Sequence, residues 1–292
     1  MALSFTQNGI LAPDHLIQRS MHFFGRDILD PLNCKLTLQL RLRLQQINPG
    51  SGEYQDSSGR SFPARDWAGP EWMDFIVSAK AQADMWNNKF WLKPPPSFTK
   101  LDVKYDSFPG QVYRPYIRCE LEVDFFANAA DAHRIIPVVN LDIPTNSVLK
   151  KDGQTFTSSL LLFDSLDKTP SIIPFKNVRG LVNKTVQHYT IAHEIGHALG
   201  LDHIGVLLKL PLCVVATFAG SDSEDSRGGT NAHVCYGQYT AYGANIMGAG
   251  SKFSVENAKP WVWAITYLEQ NPFGYWEVLL RRPAEQGFWV RL

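Results

Sequence analysis

Five residues at fixed spacing can do chemistry in this chain of 292 residues: His193, Glu194, His197, Gly200 and His203. On a helix, the four-residue step from His193 to His197 puts both imidazoles on one face, one turn apart and within reach of a single ion. Glu194 follows the first histidine directly, so its carboxylate projects beside that ion, where it can hold and deprotonate a bound water. Gly200 lets the helix end in a turn open to positive φ, after which the chain returns His203 as a third imidazole. Three neutral nitrogens with one position left open are the donor set of a catalytic zinc, whereas a structural zinc more often takes four ligands rich in cysteine. With 8 histidines and 21 glycines in the chain, chance assembly of this pattern has a probability on the order of 1 in 10⁵.

The elements that must position these residues follow from periodicity. Residues 183–199 read as the helix that carries the first two histidines, with His188 on the same helix, off their face and structural. Upstream, Leu36, Leu38, Leu40, Leu42 and Leu44 alternate with Lys35, Thr37, Gln39, Arg41 and Arg43, the period of a strand with one wet face. Residues 48–66, rich in Gly, Ser and Asp, read as a surface loop. Pro70 then opens an amphipathic helix of about 20 residues, with Trp72, Phe75, Ile76, Ala79, Ala83, Trp86 and Phe90 on its apolar face. Pro94, Pro95 and Pro96 terminate it, because proline cannot continue the hydrogen-bond ladder. Residues 116–126 and 134–141 are strand candidates, the second buried on both faces, and a further strand pair is expected within 155–164. A short helix is expected over 13–24, opening at Pro13 and stopping at Gly25. Residues 204–220 are nearly all apolar, but Lys209 and Pro211 interrupt them. They fall short of the roughly 18 residues of a spanning helix and read as buried core rather than membrane. This order of elements describes an α/β sheet with a helix packed on it.

His193, Glu194, His197, Gly200 and His203 together resemble the long zinc signature of the metzincin metallopeptidases, and Asn245, Ile246, Met247 and Gly248 resemble their Met-turn. The resemblance implies that Met247 lies beneath the zinc-binding histidines as a hydrophobic base. It implies a fold of the α+β or α/β class: a mixed twisted sheet with two long helices in the upper half, and an irregular lower half that ends in a helix. The expected layout is an N-terminal segment, 1–33, packed on the catalytic domain. An upper zinc-binding subdomain, 34–203, follows, then a lower one, 204–292, with the Met-turn and a closing helix. Ser254 can cap that helix, which runs through Trp261, Ile265 and Leu268. The implied activity is zinc-dependent endopeptidase, with Glu194 as general base and then general acid. Its polypeptide substrate would bind extended along an edge strand. Ile204 follows the third ligand and Ala249, not tyrosine, stands two residues after Met247, so no subfamily is assigned. Tyr236, Tyr239 and Tyr242 are candidates for an oxyanion donor but read as core or surface residues. Two other readings stay open: a zinc amidase acting on cell-wall peptide crosslinks, and a catalytically idle, zinc-stabilised binding module, against which the intact Glu194 argues.

Composition excludes several partner classes. Lys+Arg and Asp+Glu are equal at 28 each, so no overall field selects nucleic acid or an anionic membrane. The first thirty residues lack the basic start, apolar stretch and cleavage site of a secretory signal. The expectation is therefore delivery by a signal-independent route, as for a bacterial effector or toxin, with a cytosolic peptidase as the alternative. Cys34, Cys119, Cys213 and Cys235 contain no C-x-x-C pair and read as buried thiols. A link between Cys213 and Cys235 stays open if the protein works in an oxidising compartment. Ser221, Asp222, Ser223, Glu224 and Asp225 lack regular Ca²⁺-ligand spacing and read as a solvated acidic loop before a calcium site.

Overall fold

Alternation of leucine with polar residues builds the centre of the main sheet. In the computed structural model Cys34–Ile47 is one 14-residue strand, with Leu36, Leu38, Leu40 and Leu42 buried on its inner face. The structure describes residues 34–55, 59, 61–104, 106–142, 162–176, 182–214, 234–237, 240–269, 275–281, 283 and 287–292, together with two N-terminal strands. Those two, β1 (Ser4–Gly9) and β2 (Arg19–Phe24), pair antiparallel, and β2 continues antiparallel onto the first half of the long strand, β3 (Cys34–Ile47). Residues 19–24 are thus a strand and not the expected helix. The backbone groups along the edge of β3 give this segment hydrogen bonds that an isolated short helix cannot match. Residues 13–18 lie outside the described set.

The rest of the sheet grows on both sides of β3. After β4 (Glu53–Gln55), β5 (Ser61–Arg65) and helix α1 (Gly69–Asp84) come β6 (Trp91–Lys93), β7 (Val103–Lys104), β8 (Gln111–Pro115), β9 (Ile117–Asp124), β10 (Arg134–Leu141) and β11 (Phe163–Asp164). β9 and β10 both run parallel to β3, whereas β6 pairs antiparallel with β9 and β5 antiparallel with β10. The sheet is therefore mixed. The expected surface loop at 48–66 contains the β4–β5 hairpin, because Phe62 and Ala64 alternate inward and are buried with Val139 and Leu141. Of the strand pair expected within 155–164, Phe163–Asp164 is a strand parallel to β10, and residues 155–161 lie outside the described set.

Helix α1 buries Phe75, Ile76, Ala79 and Ala83 in the same core as the leucines of β3. It ends at Asp84, earlier than the expected stop at the prolines. Asn87 accepts from the Leu121 N–H and donates to the Leu121 carbonyl, and Asn88 turns the chain with φ 57°. Trp86 and Phe90 keep their predicted burial but sit in this turn. Two strands, β12 (Ser171–Lys176) and β13 (Val182–His188), form a separate antiparallel pair. Helix α2 (Thr190–Ala198) follows, and α3 (Ile204–Leu207) is a single turn. The helix expected over 183–199 is thus half strand. Cross-strand pairing with β12 takes the stretch before Tyr189, and the helical part has nine residues, so among the described residues the zinc-motif helix is not the second long helix expected.

Residues 204–220 do not form the expected continuous core. Ile204 and Cys213 are buried, Leu212 and Val214 are exposed, and 215–220 lie outside the described residues. Helix α4 (Lys259–Glu269) is preceded by a 3₁₀ turn, residues 255–258, whose start is closed by the Ser254 N–H donating to Asn257 Oδ1, so Ser254 begins this turn and not the helix it was expected to cap. The chain does not end there. Strand β14 (Glu277–Leu279) pairs with β6, and β15 (Gly287–Arg291) pairs with β8, which ties the last residues to strands of the first half. Cys213 and Cys235 form a disulfide, while Cys34 and Cys119 are buried thiols, so the link left open becomes the one pairing. The acidic stretch 221–225 lies outside the described residues. Among the described residues no helix is long and apolar enough to cross a membrane.

Candidate metal centre

Helix α2 is short and would not persist alone; neighbouring elements hold it. Gln82 on α1 accepts from the Ile191 N–H, one of the orphan donors of the first turn of α2, and donates to the Asp167 carbonyl. Trp86 donates its indole N–H to the Ala192 carbonyl. At the other end the Leu201 N–H bonds the Gly196 carbonyl and the Gly200 N–H bonds the His197 carbonyl, with Gly200 at φ 90°. This pair of bonds closes the helix with a left-handed residue, which glycine adopts without strain. The turn sends the chain back, so that His203 faces the helix it has just left.

The three imidazoles converge. His193 Nε2 and His197 Nε2 lie 3.1 Å apart, and His197 Nε2 and His203 Nε2 lie 3.2 Å apart. The ligand atoms of all three residues fall within 4.8 Å of one another. An ion held tetrahedrally by imidazoles spaces their nitrogens about 3.3 Å apart, so the observed spacing fits one ion.

Protonation supports the same conclusion. His193 Nδ1 is 2.7 Å from the Ile246 carbonyl oxygen, and His197 Nδ1 is 2.7 Å from the Leu201 carbonyl oxygen. A carbonyl only accepts, so Nδ1 carries the hydrogen in both rings and Nε2 carries a lone pair. Two lone pairs 3.1 Å apart repel unless a cation or proton lies between them. Burial holds the His193 imidazole well below its ordinary pKa of 6.5, and the neighbouring His197, His188 and His203 push the same way against the Ile246 carbonyl. A proton is therefore disfavoured near neutral pH, and a metal cation suits the site.

Met247 packs against Gly196 of the helix that carries two of these histidines. It is fully buried, and a Cβ placed on Gly196, between the two helical histidines, would come within 2.1 Å of Met247 Sδ. The turn of residues 245–248 touches each donor's surroundings. Ile246 bonds His193, the Met247 carbonyl accepts from Ile204 N–H beside His203, and Met247 Sδ fills the space left by the glycine before His197. Asn245 shapes the turn. Its Oδ1 accepts from Met247 N–H at 2.8 Å, and its Nδ2 donates to Ser254 Oγ and Asn257 Oδ1.

Glu194 is half-buried on α2, and the cluster of converging ligand atoms contains the three histidines without it. His188 is not on the helix. It ends β13, with its ring 5.1 Å from that of His193, its buried Nδ1 lacking a hydrogen-bond partner and its pKa lowered to about 4 by burial. Tyr236 lies against His203, with ring centroids 3.8 Å apart. Tyr242 is exposed, and Tyr239 lies outside the described residues. Sequence spacing offered no means of choosing Tyr236 among the three tyrosines, nor of finding Gln82 and Trp86, which act from more than a hundred residues away. No protein-family model, curated protein or solved structure matches this chain. What its own geometry establishes is a centre of three imidazoles, His193, His197 and His203, able to hold one metal ion.

Proposed function

We propose that the chain is a zinc-dependent endopeptidase of the metzincin kind, with His193, His197 and His203 as the metal ligands and Glu194 as general base. The observation that carries this reading is the convergence of three Nε2 atoms, at 3.1 Å and 3.2 Å from His197 Nε2, with those of His193 and His197 left as lone pairs by carbonyls at Nδ1. When bound, zinc supplies Lewis acidity that makes water acidic near neutral pH and polarises a carbonyl. Glu194, next to the first ligand, takes the proton of the attacking water and hands it to the leaving amine. Met247 and the Ile246 and Leu201 carbonyls keep the donors in one arrangement through that cycle. The substrate polypeptide pairs its extended backbone with a strand edge. The Cys213–Cys235 disulfide supports work in an oxidising compartment, in keeping with a delivered effector or toxin.

The test is metal analysis of purified protein combined with cleavage-site mapping on a denatured proteome digest. We expect about one zinc per chain. Glu194→Gln should keep the zinc and lose about 10²–10⁴ of the hydrolysis. Active protein without metal, or Glu194→Gln within a fewfold of the parent, rejects the reading.

A further inference from the structure

We propose that Tyr236 is the positioning residue of the third metal-binding imidazole, and that the Cys213–Cys235 disulfide clamps it in place; this rests on the metal-centre reading. His203 differs from the other two donors. His193 and His197 ride on α2, whose backbone aims them, whereas His203 stands on non-helical backbone (φ −56°, ψ 148°) between the Gly200 turn and the single turn of α3. Its ring direction must be set by what packs on it. The Tyr236 ring lies over it, 3.8 Å between centroids and 33° between planes, and is nearly parallel to His193, at 9° and 5.8 Å. The phenol therefore walls one side of the donor set and restricts rotation of the His203 imidazole about its own bond to the backbone.

The segment that presents Tyr236 is held on three sides. The Cys235 carbonyl accepts from Gly205 N–H at 2.7 Å, and a Cβ on Gly205 would come within 2.7 Å of Cys235 Cα, so the two backbones touch. On the opposite side a Cβ on Gly248 would meet the Tyr236 carbonyl oxygen at 2.5 Å. The segment is thus wedged between α3 and the turn that carries Met247. The third restraint is covalent: Cys235, the residue before Tyr236, is bonded to Cys213, and both are buried. The wedge and the bond act on the residue that touches the metal-binding imidazole. A donor already held in its bound orientation loses less freedom when the ion arrives, and loss of such an outer partner typically costs 10–100-fold in affinity.

The test reads zinc affinity of the full-chain apo-protein by competition with a chelating dye, together with the visible spectrum of the Co²⁺-loaded protein. Tyr236→Phe, which keeps the ring, should bind zinc within about twofold of the parent, and Tyr236→Ala should bind about 10–100-fold more weakly with a changed cobalt spectrum. The Cys213→Ser/Cys235→Ser double variant should weaken binding in the same direction. In a His203→Ala background, Tyr236→Ala should add no further loss, because its effect passes through that imidazole. Tyr236→Leu serves as a second ring-less variant should the alanine variant fail to fold. Unchanged affinity and spectrum in the ring-less variant, or a full additional loss on top of His203→Ala, overturns the positioning role. A double serine variant indistinguishable from the parent overturns the clamp. A parent protein that binds neither zinc nor cobalt overturns the metal-centre reading itself.

Discussion

Replacing Gly196 by alanine isolates the packing that underlies the metal centre. On helix propensity alone the change should stabilise α2 by about 1 kcal/mol, since glycine is the poorer helix former. The structure reverses the sign. The new Cβ would lie 2.1 Å from Met247 Sδ and 3.0 Å from both Met247 Cε and Trp86 Cζ2, with Met247 and Trp86 fully buried. The thioether must retreat by more than 1 Å, roughly the difference from an ordinary contact of about 3.5 Å. Behind it stand the Met247 carbonyl bond to Ile204 and the Asn245 bond to Met247 N–H. Overpacking of a filled core costs about 1–3 kcal/mol, and the upper end applies where both neighbours are enclosed. The net expectation is a loss of about 2 kcal/mol after the propensity gain, with zinc affinity reduced by about tenfold or more because the histidines flanking Gly196 shift with the helix. Urea unfolding and zinc competition measure the two effects. The Gly196→Ala/Met247→Ala double variant should cost less than the sum of the single ones, since the added methyl fills part of the cavity. A Gly196→Ala protein more stable than the parent, with unchanged metal affinity, would refute the packing account.

Other outcomes follow from burial and charge. His188 is held at about 4 and His193 well below 6.5, so the unfolded chain takes up protons near pH 6.5 that the folded chain does not. Stability of the metal-free protein should therefore fall as pH drops from about 6.5 towards 4, by about 1.4 kcal/mol per pH unit for each group. His188→Gln should flatten that slope, and an unchanged slope would remove His188 as its source. Asn245→Ala removes the acceptor of Met247 N–H and of the Nδ2 of the fully buried Asn257. It should cost about 3 kcal/mol in urea unfolding, and a loss under about 1 kcal/mol would show that the turn holds without its carboxamide. Denatured, unreduced protein should titrate two thiols, Cys34 and Cys119, and reduction should raise the count to four; four without reduction would deny the disulfide.

The donors of the metal centre are legible in the sequence because their geometry is local. A four-residue step on a helix puts His193 and His197 on one face, and a glycine at the helix end turns His203 back to them. The long strand is legible for the same reason, since strict alternation of leucines describes one buried face whatever lies across it. Reading by periodicity failed where pairing with a distant segment decided the local state. Residues 19–24 and 182–188 become strands because β3 and β12 offer them backbone partners, and the loop-like composition of 48–66 hides a hairpin that buries Phe62 and Ala64 against β10.

The sequence by itself therefore determined the identity of the three imidazoles and the glycine that ends their helix, each specified by residue type and short spacing. Met247, 44 residues past His203, entered only as what the family resemblance implies. Only the tertiary structure decided which ring nitrogens of His193 and His197 point into the cluster, because that depends on carbonyls of Ile246 and Leu201 at the far ring nitrogens. It also chose Tyr236 to cover His203, Gln82 and Trp86 to hold α2, and Cys213 to bond Cys235. These partners lie up to 109 residues apart along the chain. Hydrogen bonds and ring contacts act over a few ångströms, so their choice waits on the packing that brings distant segments together.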